Sequence, residues 1–220
     1  MSESMVVGLD LGQSQDYSAL AVVEHVRVIP GSALGQGIGL GDVYYGSGPD
    51  GVNELRVRHL QRWALGTPYD AIVDDVAALM STSALVDSWL VFDATGVGRA
   101  VKDMLIEAYE DGRMGSQWPL PRTITGEGKG HGNTITKRDL MSVLLVALQQ
   151  GRFKIAEDLP LREVLELELS SFRLKISAAG RDSYEFKRRE GTGHGDLTIA
   201  TALASSLQHG GMQRLEVAGV

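Results

Sequence analysis

Three aspartates stand where the residues around them do not favour a carboxylate. Asp10 lies inside the apolar run Val6-Val7-Gly8-Leu9-Asp10-Leu11-Gly12, and Asp is poorly suited to a strand interior. Asp93 ends the run Val91-Phe92-Asp93 before Ala94-Thr95-Gly96, and Asp196 follows Gly193-His194-Gly195 at the head of an apolar stretch. A buried carboxylate must be hydrogen-bonded, paired or metal-bound, because an isolated buried charge costs too much. Three of them at element ends, far apart in sequence, point to one acidic metal site. Taken singly, Asp196 also fits a helix N-cap, and the other two fit turn positions.

The elements that must carry these residues are legible in part. Val6–Gly12 and Ser18–Glu24 read as two strands around a polar turn that contains Asp16, and Val26–Ile29 extends the second. Gly31 to Asp42 is glycine-rich and reads as a hairpin tip, with a third strand at Val43-Tyr44-Tyr45. Asn53 or a neighbour is then expected to cap a helix through Leu55, Leu60, Trp63 and Ala64, which Gly66-Thr67-Pro68 stops. Tyr69 to Met80 predicts a second helix, with Asp74 and Asp75 on its solvated face. Ser88–Asp93 predicts a buried strand, and Thr95-Gly96-Val97-Gly98-Arg99 turns from it into a helix through Val101, Met104, Leu105 and Ala108. That step is the βα unit of a parallel sheet.

Arg122–Thr125 reads as a short strand. The glycine-rich stretch Gly126–Asn133 presents Lys129 and His131, but it is no phosphate-binding P-loop. That motif needs Gly-x-x-x-x-Gly-Lys-Ser/Thr, and Thr123 and Gly130 occupy the first glycine and the hydroxyl positions. Thr136 opens a helix through Leu140, Val143, Leu144, Ala147 and Leu148, and Phe153-Lys154-Ile155 follows as a strand. Pro160 leads into an amphipathic helix. Phe172–Ile176 and Tyr184–Lys187 alternate with period two, which predicts a β-hairpin excursion at about 172–189. A last helix with many small residues runs from Asp196 through Ile199, Ala200, Ala202, Leu203 and Ala204. The fold class expected is α/β: a mixed sheet, antiparallel in its first three strands and parallel afterwards, flanked by helices.

Composition bounds the function. The chain has 220 residues, is 43% hydrophobic and holds no cysteine. That length suits one well-cored domain spanning 1–220. Without cysteine there is no disulfide, no thiolate metal site and no Cys nucleophile. No run of about 18 apolar residues occurs, and Met1-Ser2-Glu3-Ser4 lacks a basic-then-apolar export pattern, so no membrane partner is expected. The formal net charge is −7, unevenly spread. Acid dominates through Pro121, whereas base exceeds acid from Arg122 to His194, including Lys187-Arg188-Arg189. A polyanionic partner is thus permitted.

In order along the chain, Gly8-Leu9-Asp10-Leu11-Gly12 with Asp16–Ala19, Val91–Gly98, Lys137-Arg138-Asp139-Leu140, Gly151–Ala156, Glu168-Leu169 with Phe172, and Gly193–Leu197 with Ala200, Ala202 and Leu203 carry a resemblance. Together they resemble the nuclease domain of phage large terminase subunits, which has the ribonuclease H-like (retroviral-integrase) fold. Two features depart from that pattern. The last acidic pair often reads His-Asp-Asp in the family, whereas this chain has His194-Gly195-Asp196. Full-length large terminases also carry an ATPase domain, and with no Walker A motif none is expected here.

The resemblance implies a metal-dependent endonuclease cutting double-stranded DNA with little sequence specificity, as in phage genome packaging. Two Mg²⁺ or Mn²⁺ ions are its implied cofactors, since hard cations prefer carboxylate oxygens. Asp10 would bridge them, with Asp93 and Asp196 each holding one side. Asp16 is a further candidate ligand, a turn aspartate being the plainer reading. Lys129, His131, Lys137, Arg138, Lys187, Arg188, Arg189 and His194 are candidate DNA contacts, a solvated basic face being the default for each. A separate packaging ATPase, portal or small terminase protein would be a partner, and the infected bacterial cytoplasm the location. Three readings stay open: a catalytically inactive docking module of the same fold, an actin/sugar-kinase-like nucleotide-binding domain, and a junction-resolving or recombination nuclease.

Overall fold

The computed structural model describes residues 4–13, 15–29, 44–45, 52–126, 132–176, 182–186 and 195–207. The first two apolar runs form an antiparallel hairpin. Strand β1 (Ser4–Asp10) pairs with β2 (Ala19–Ile29) from Ser4 opposite His25 to Asp10 opposite Ala19. The short β3 (Tyr44–Tyr45) pairs with the far end of β2. Strand β4 (Val52–Arg62) runs antiparallel along the length of β2. On the other side of β1, β5 (Trp89–Asp93) pairs in parallel, with Leu9 opposite Phe92. Strands β6 (Leu120–Thr125) and β7 (Thr134–Thr136) extend the sheet in parallel beyond β5. Strand β8 (Phe153–Ile155) closes the other edge against β4. The order is β7-β6-β5-β1-β2-β4-β8, which is the expected mixed sheet.

Strand β4 corrects the expected helix over 53–64. Leu55, Val57 and Leu60 are all buried in the same core cluster, a spacing that strict alternation does not give. The register against β2 shifts between Val22 and Val23, so that Val22 faces His59 while Val23 faces Val57. Arg58 is the extra residue of a β-bulge. Such a residue changes which positions point inward, and the resulting spacing of Leu55, Leu60 and Trp63 imitates a helical stripe. Strand β7 was not expected, because three residues are too few to show a period.

Helices cover both faces. α1 (Tyr69–Met80) and α2 (Gly98–Glu110) pack Ile72, Val76, Val101 and Leu105 against Val7, Leu9, Leu90 and Phe92. The opposite face carries α3 (Lys137–Gln149), α4 (Arg162–Ser171) and α5 (Asp196–Ser206), around Val6, Ala21, Val23 and Val91. Asp74 and Asp75 are exposed on α1 as expected, and they accept from Arg113 and the Trp63 indole at 2.9 and 2.8 Å. α4 passes directly into the hairpin of β9 (Phe172–Ile176) and β10 (Asp182–Phe186), a two-stranded sheet of its own. Val43, the glycine-rich stretch 31–42 and residues 179–181 of the expected hairpin turn lie outside the described residues. No described helix is long and apolar enough to cross a membrane.

Every residue of α5 from Asp196 to Ser205 is buried. Two of its polar residues are accommodated by bonds back along the helix, Thr201 Oγ1 to the Leu197 carbonyl and Ser205 Oγ to the Thr201 carbonyl, both 2.7 Å. The helix lies so close to β1 that a Cβ on Gly8 would stand 1.9 Å from the Ala200 carbonyl oxygen and 2.6 Å from the Ala204 nitrogen. Gly8→Ala is therefore expected to force α5 outward and cost about 1–3 kcal/mol of stability, as overpacking does. Gly126→Ala, which would meet nothing within 4 Å, is expected to stay within about 0.5 kcal/mol. Urea denaturation midpoints of the two variants check both figures.

Candidate metal centre

Alternation along the strands decides which way the aspartates face. On β1, Val6 belongs to the core under α5 and Val7 and Leu9 to the opposite core, so Asp10 continues the α5 face. On β5, Val91 is on the α5 face and Leu90 and Phe92 on the other, so Asp93 shares Asp10's face. Leu9 pairs with Phe92, which makes Asp10 and Asp93 next neighbours where two adjacent parallel strands end. Ligands of α/β sheets characteristically bind outside such carboxyl ends.

The direction of α5 brings in the third aspartate. His25 Nε2 meets the Ala204 carbonyl at 2.9 Å, and His25 pairs with Ser4 at the start of β1. The C-terminal half of α5 thus lies over the beginning of β1, and the helix runs antiparallel to the strand. Ala200 faces Gly8. Moving back four helical residues to Asp196 covers about 6 Å, and moving forward two strand residues to Asp10 covers about 7 Å. Asp196 and Asp10 therefore lie at the same end of the sheet.

The electrostatics agree with this placement. Burial raises the Asp10 carboxyl well above the ordinary carboxylate range, the charges of Asp196, Asp93 and Glu168 raise it further, and Lys137 pulls it back. Burial also raises Asp93, against hydrogen bonds to its Oδ1 from the Thr95 hydroxyl (2.5 Å) and amide (2.8 Å). Thr95 itself accepts from the Ile124 amide at 2.9 Å, tying the end of β5 to β6. Glu168, on the last turn of α4, is 1% exposed. Burial pushes its pKa up to about 7, an effect that the Thr198 amide hydrogen bond opposes, Asp196 reinforces and Arg62 opposes.

Other residues singled out in the sequence are placed as follows. Asp16 stands on the turn between β1 and β2, where its amide bonds the Gln13 carbonyl at 2.8 Å; the carboxylates that act on Asp10 are Asp196, Asp93 and Glu168. Lys137 opens α3 within electrostatic reach of Asp10, after an N-cap in which the Thr136 hydroxyl accepts from the Asp139 amide at 3.0 Å. Arg138 is exposed on the same turn. Lys129, His131, Lys187, Arg188, Arg189 and His194 lie outside the described residues.

Two residues of the centre escaped the sequence reading of the site. Glu168 follows Val164 and Leu165 of α4 at helical spacing, and a carboxylate on that apolar stripe was the available signal. Arg62 was hidden by the helix expected over 53–64. It ends β4, lies over the Tyr17 ring with 4.2 Å from guanidinium carbon to ring centroid, and keeps a buried Nη1 without a hydrogen-bond partner.

The donors fit a hard divalent cation. All are oxygens, they raise one another's proton affinity, and the Oε1 of Glu168 is buried without a hydrogen-bond partner. A cation would relieve both the like-charge repulsion and this unmet acceptor. Among the described residues, no three such side chains already close around one ion position; what has been assembled is a cluster of like charge.

The Glu168 carboxyl allows a test without metal. With a pKa of about 7 folded against 4.5 for the ordinary group, its protonated form contributes stability that is fully present below about pH 4.5. That contribution is lost as pH rises through about 7, at a scale of about 3 kcal/mol. Glu168→Gln is expected to raise the melting temperature of the metal-free protein at pH 8 and to change it little at pH 4.5. Melting curves of the two proteins across that window check the sign.

No protein-family model matches the sequence, and no curated protein matches it. Solved structures do. The large terminase nuclease of thermophilic phage G20c with bound magnesium aligns over 93% of this chain and 82% of that one, at a TM-score of 0.57 and 21% identity. The same nuclease with bound cobalt aligns at a TM-score of 0.56 and 23% identity, over 93% and 81%. The large terminase of bacteriophage HK97 aligns at 0.53 and 15% identity, over 93% of this chain but 39% of that one. With its hairpin-led mixed sheet and flanking helices, this chain has the ribonuclease H-like fold of the phage large terminase nuclease domains.

Proposed function

We propose that this chain, as a single nuclease domain spanning 1–220, is a divalent-metal-dependent endonuclease that cuts double-stranded DNA with little sequence specificity, as in phage genome packaging. The observation that carries the reading is the gathering of Asp10, Asp93 and Asp196 from β1, β5 and α5 at one end of the sheet, with the Asp10 carboxyl raised by burial first and then by the neighbouring carboxylate charges. Two neighbours of the same fold are large terminase nuclease structures with bound magnesium and bound cobalt, which supports a divalent cation here.

Asp10, Asp93 and Asp196 would hold two Mg²⁺ or Mn²⁺ ions, with Asp16 as a further candidate. When bound, such ions supply Lewis-acid stabilisation of charge on the attacked phosphate. The chain's own residues set the stage. Thr95 fixes the Asp93 carboxylate through two hydrogen bonds to one oxygen. The buried α5 holds Asp196 rigidly over the sheet end. Lys137, close enough to act on Asp10, offers a cation to a DNA phosphate, and Arg138 beside it a second. Lys129, His131, Lys187, Arg188, Arg189 and His194 are further candidate DNA contacts, on their residue type alone. Contacts of this kind go to phosphates and carry no base information, which supports low sequence specificity. A packaging ATPase, portal or small terminase protein would complete the assembly in the bacterial host cytoplasm.

A plasmid-nicking assay with Mn²⁺ or Mg²⁺ tests the reading. Wild type is expected to nick supercoiled DNA, and chelation to stop it. Asp10→Ala is expected to lose roughly a thousandfold in rate, the scale of about 4 kcal/mol of charge stabilisation. Wild type inert with both metals at high protein concentration would sink the enzyme and leave a docking module. Magnesium-dependent ATP binding without nicking would favour a nucleotide-binding domain instead.

A further inference from the structure

The first turn of α5 carries Asp196 but lacks an ordinary cap. Its N-cap residue is Gly195, with φ of 88° and no side chain to offer. An N-cap side chain normally accepts from the amide of the second or third helical residue. Here the third residue, Thr198, donates its amide to Glu168 Oε2 at 2.9 Å. The cap is thus supplied by another helix, from a residue 30 positions earlier. Glu168 is 1% exposed, so a carboxylate has been buried among other carboxylates to do what a serine or asparagine at 195 would do at lower electrostatic cost. A cap within α5 would satisfy the amide equally well. It would not tie α5 to α4.

We propose that Glu168 is a positioning residue of the carboxylate centre: by capping α5 from α4, it holds the turn that places Asp196 over the end of β1. The proposal rests on the endonuclease reading for its functional consequence and on the hydrogen bond to Thr198 for its mechanism. It assigns the essential property of Glu168 to its accepting oxygen. Glutamine keeps such an oxygen at the same reach without the charge, alanine removes it, and aspartate is one methylene too short.

The test compares Glu168→Gln, Glu168→Ala and Glu168→Asp in the full chain. Thr198 amide exchange in the metal-free protein reads the cap directly. The expected result is exchange faster by roughly tenfold in the alanine variant and within about threefold of wild type in the glutamine variant. Mn²⁺ affinity, followed by the paramagnetic signal of the free ion, reads the consequence for Asp196. It is expected to fall about tenfold with alanine and to be largely restored by glutamine. Equal losses of affinity with glutamine and alanine would overturn the proposal by making the charge of Glu168 the operative property. Unchanged Thr198 exchange in the alanine variant would overturn it as well. If the alanine variant does not fold, the aspartate variant is expected to show the same two losses, and its failure to do so has the same force. A wild type that takes up no Mn²⁺ removes the endonuclease reading and the role at Asp196, while Thr198 exchange still decides whether the cap exists.

Discussion

The close approach of α5 to β1 at Gly8 is the contact on which the candidate centre depends. A helix backbone can lie this near a strand only where the strand has no side chain, and any Cβ at position 8 would overlap the Ala200 carbonyl. The small residues Ala200 and Ala204 complete the fit from the helix side. Because the helix runs antiparallel to β1, this one contact also decides where Asp196 comes to rest. A helix packed farther out, or running the other way, would leave Asp10 and Asp93 at the sheet end without their third carboxylate.

Gathering like charges in a partly desolvated place works against folding. The chain offsets this locally. Lys137 draws down Asp10, Arg62 draws down Glu168, and Thr95 and the Thr198 amide donate to Asp93 and Glu168. The N-terminus of α5 adds a positive end of a helix dipole beside Asp196 and Glu168. These contributions do not bring the carboxyl groups of Asp10, Asp93 and Glu168 back to ordinary values. A site that stays electrostatically unsatisfied while its packing is complete is suited to a cation and explains why such costly side chains are placed there.

Much of the architecture was legible because it rests on short-range pattern. Helix α1 occupies the expected Tyr69–Met80, α3 starts behind its Thr136 cap, and β8 occupies the expected three residues. The error at β4 has a definite origin. A single bulge residue, Arg58, moved the next inward position after Val57 from His59 to Leu60, and a period-two pattern broken once can be mistaken for a longer period. The mistake also concealed Arg62, since a residue assigned to an exposed helix end draws no attention as a partner of buried acid.

The sequence by itself determined which carboxylates are the candidates, because a carboxylate inside an apolar run is anomalous wherever the chain later goes. It determined the oxygen-rich, thiol-free donor set and the strand and helix ends that bear Asp10, Asp93 and Asp196. Tertiary structure decided that Glu168 joins them, that Arg62 stands beside Glu168, and that a helix without its own cap receives one from α4. It also decided the register of β1 against β5 and the direction of α5 across them. The physical reason is range. Propensity, periodicity and capping act over a few residues, whereas register, helix direction and charge clustering come from contacts between segments far apart in the chain, whose pairing no local pattern encodes.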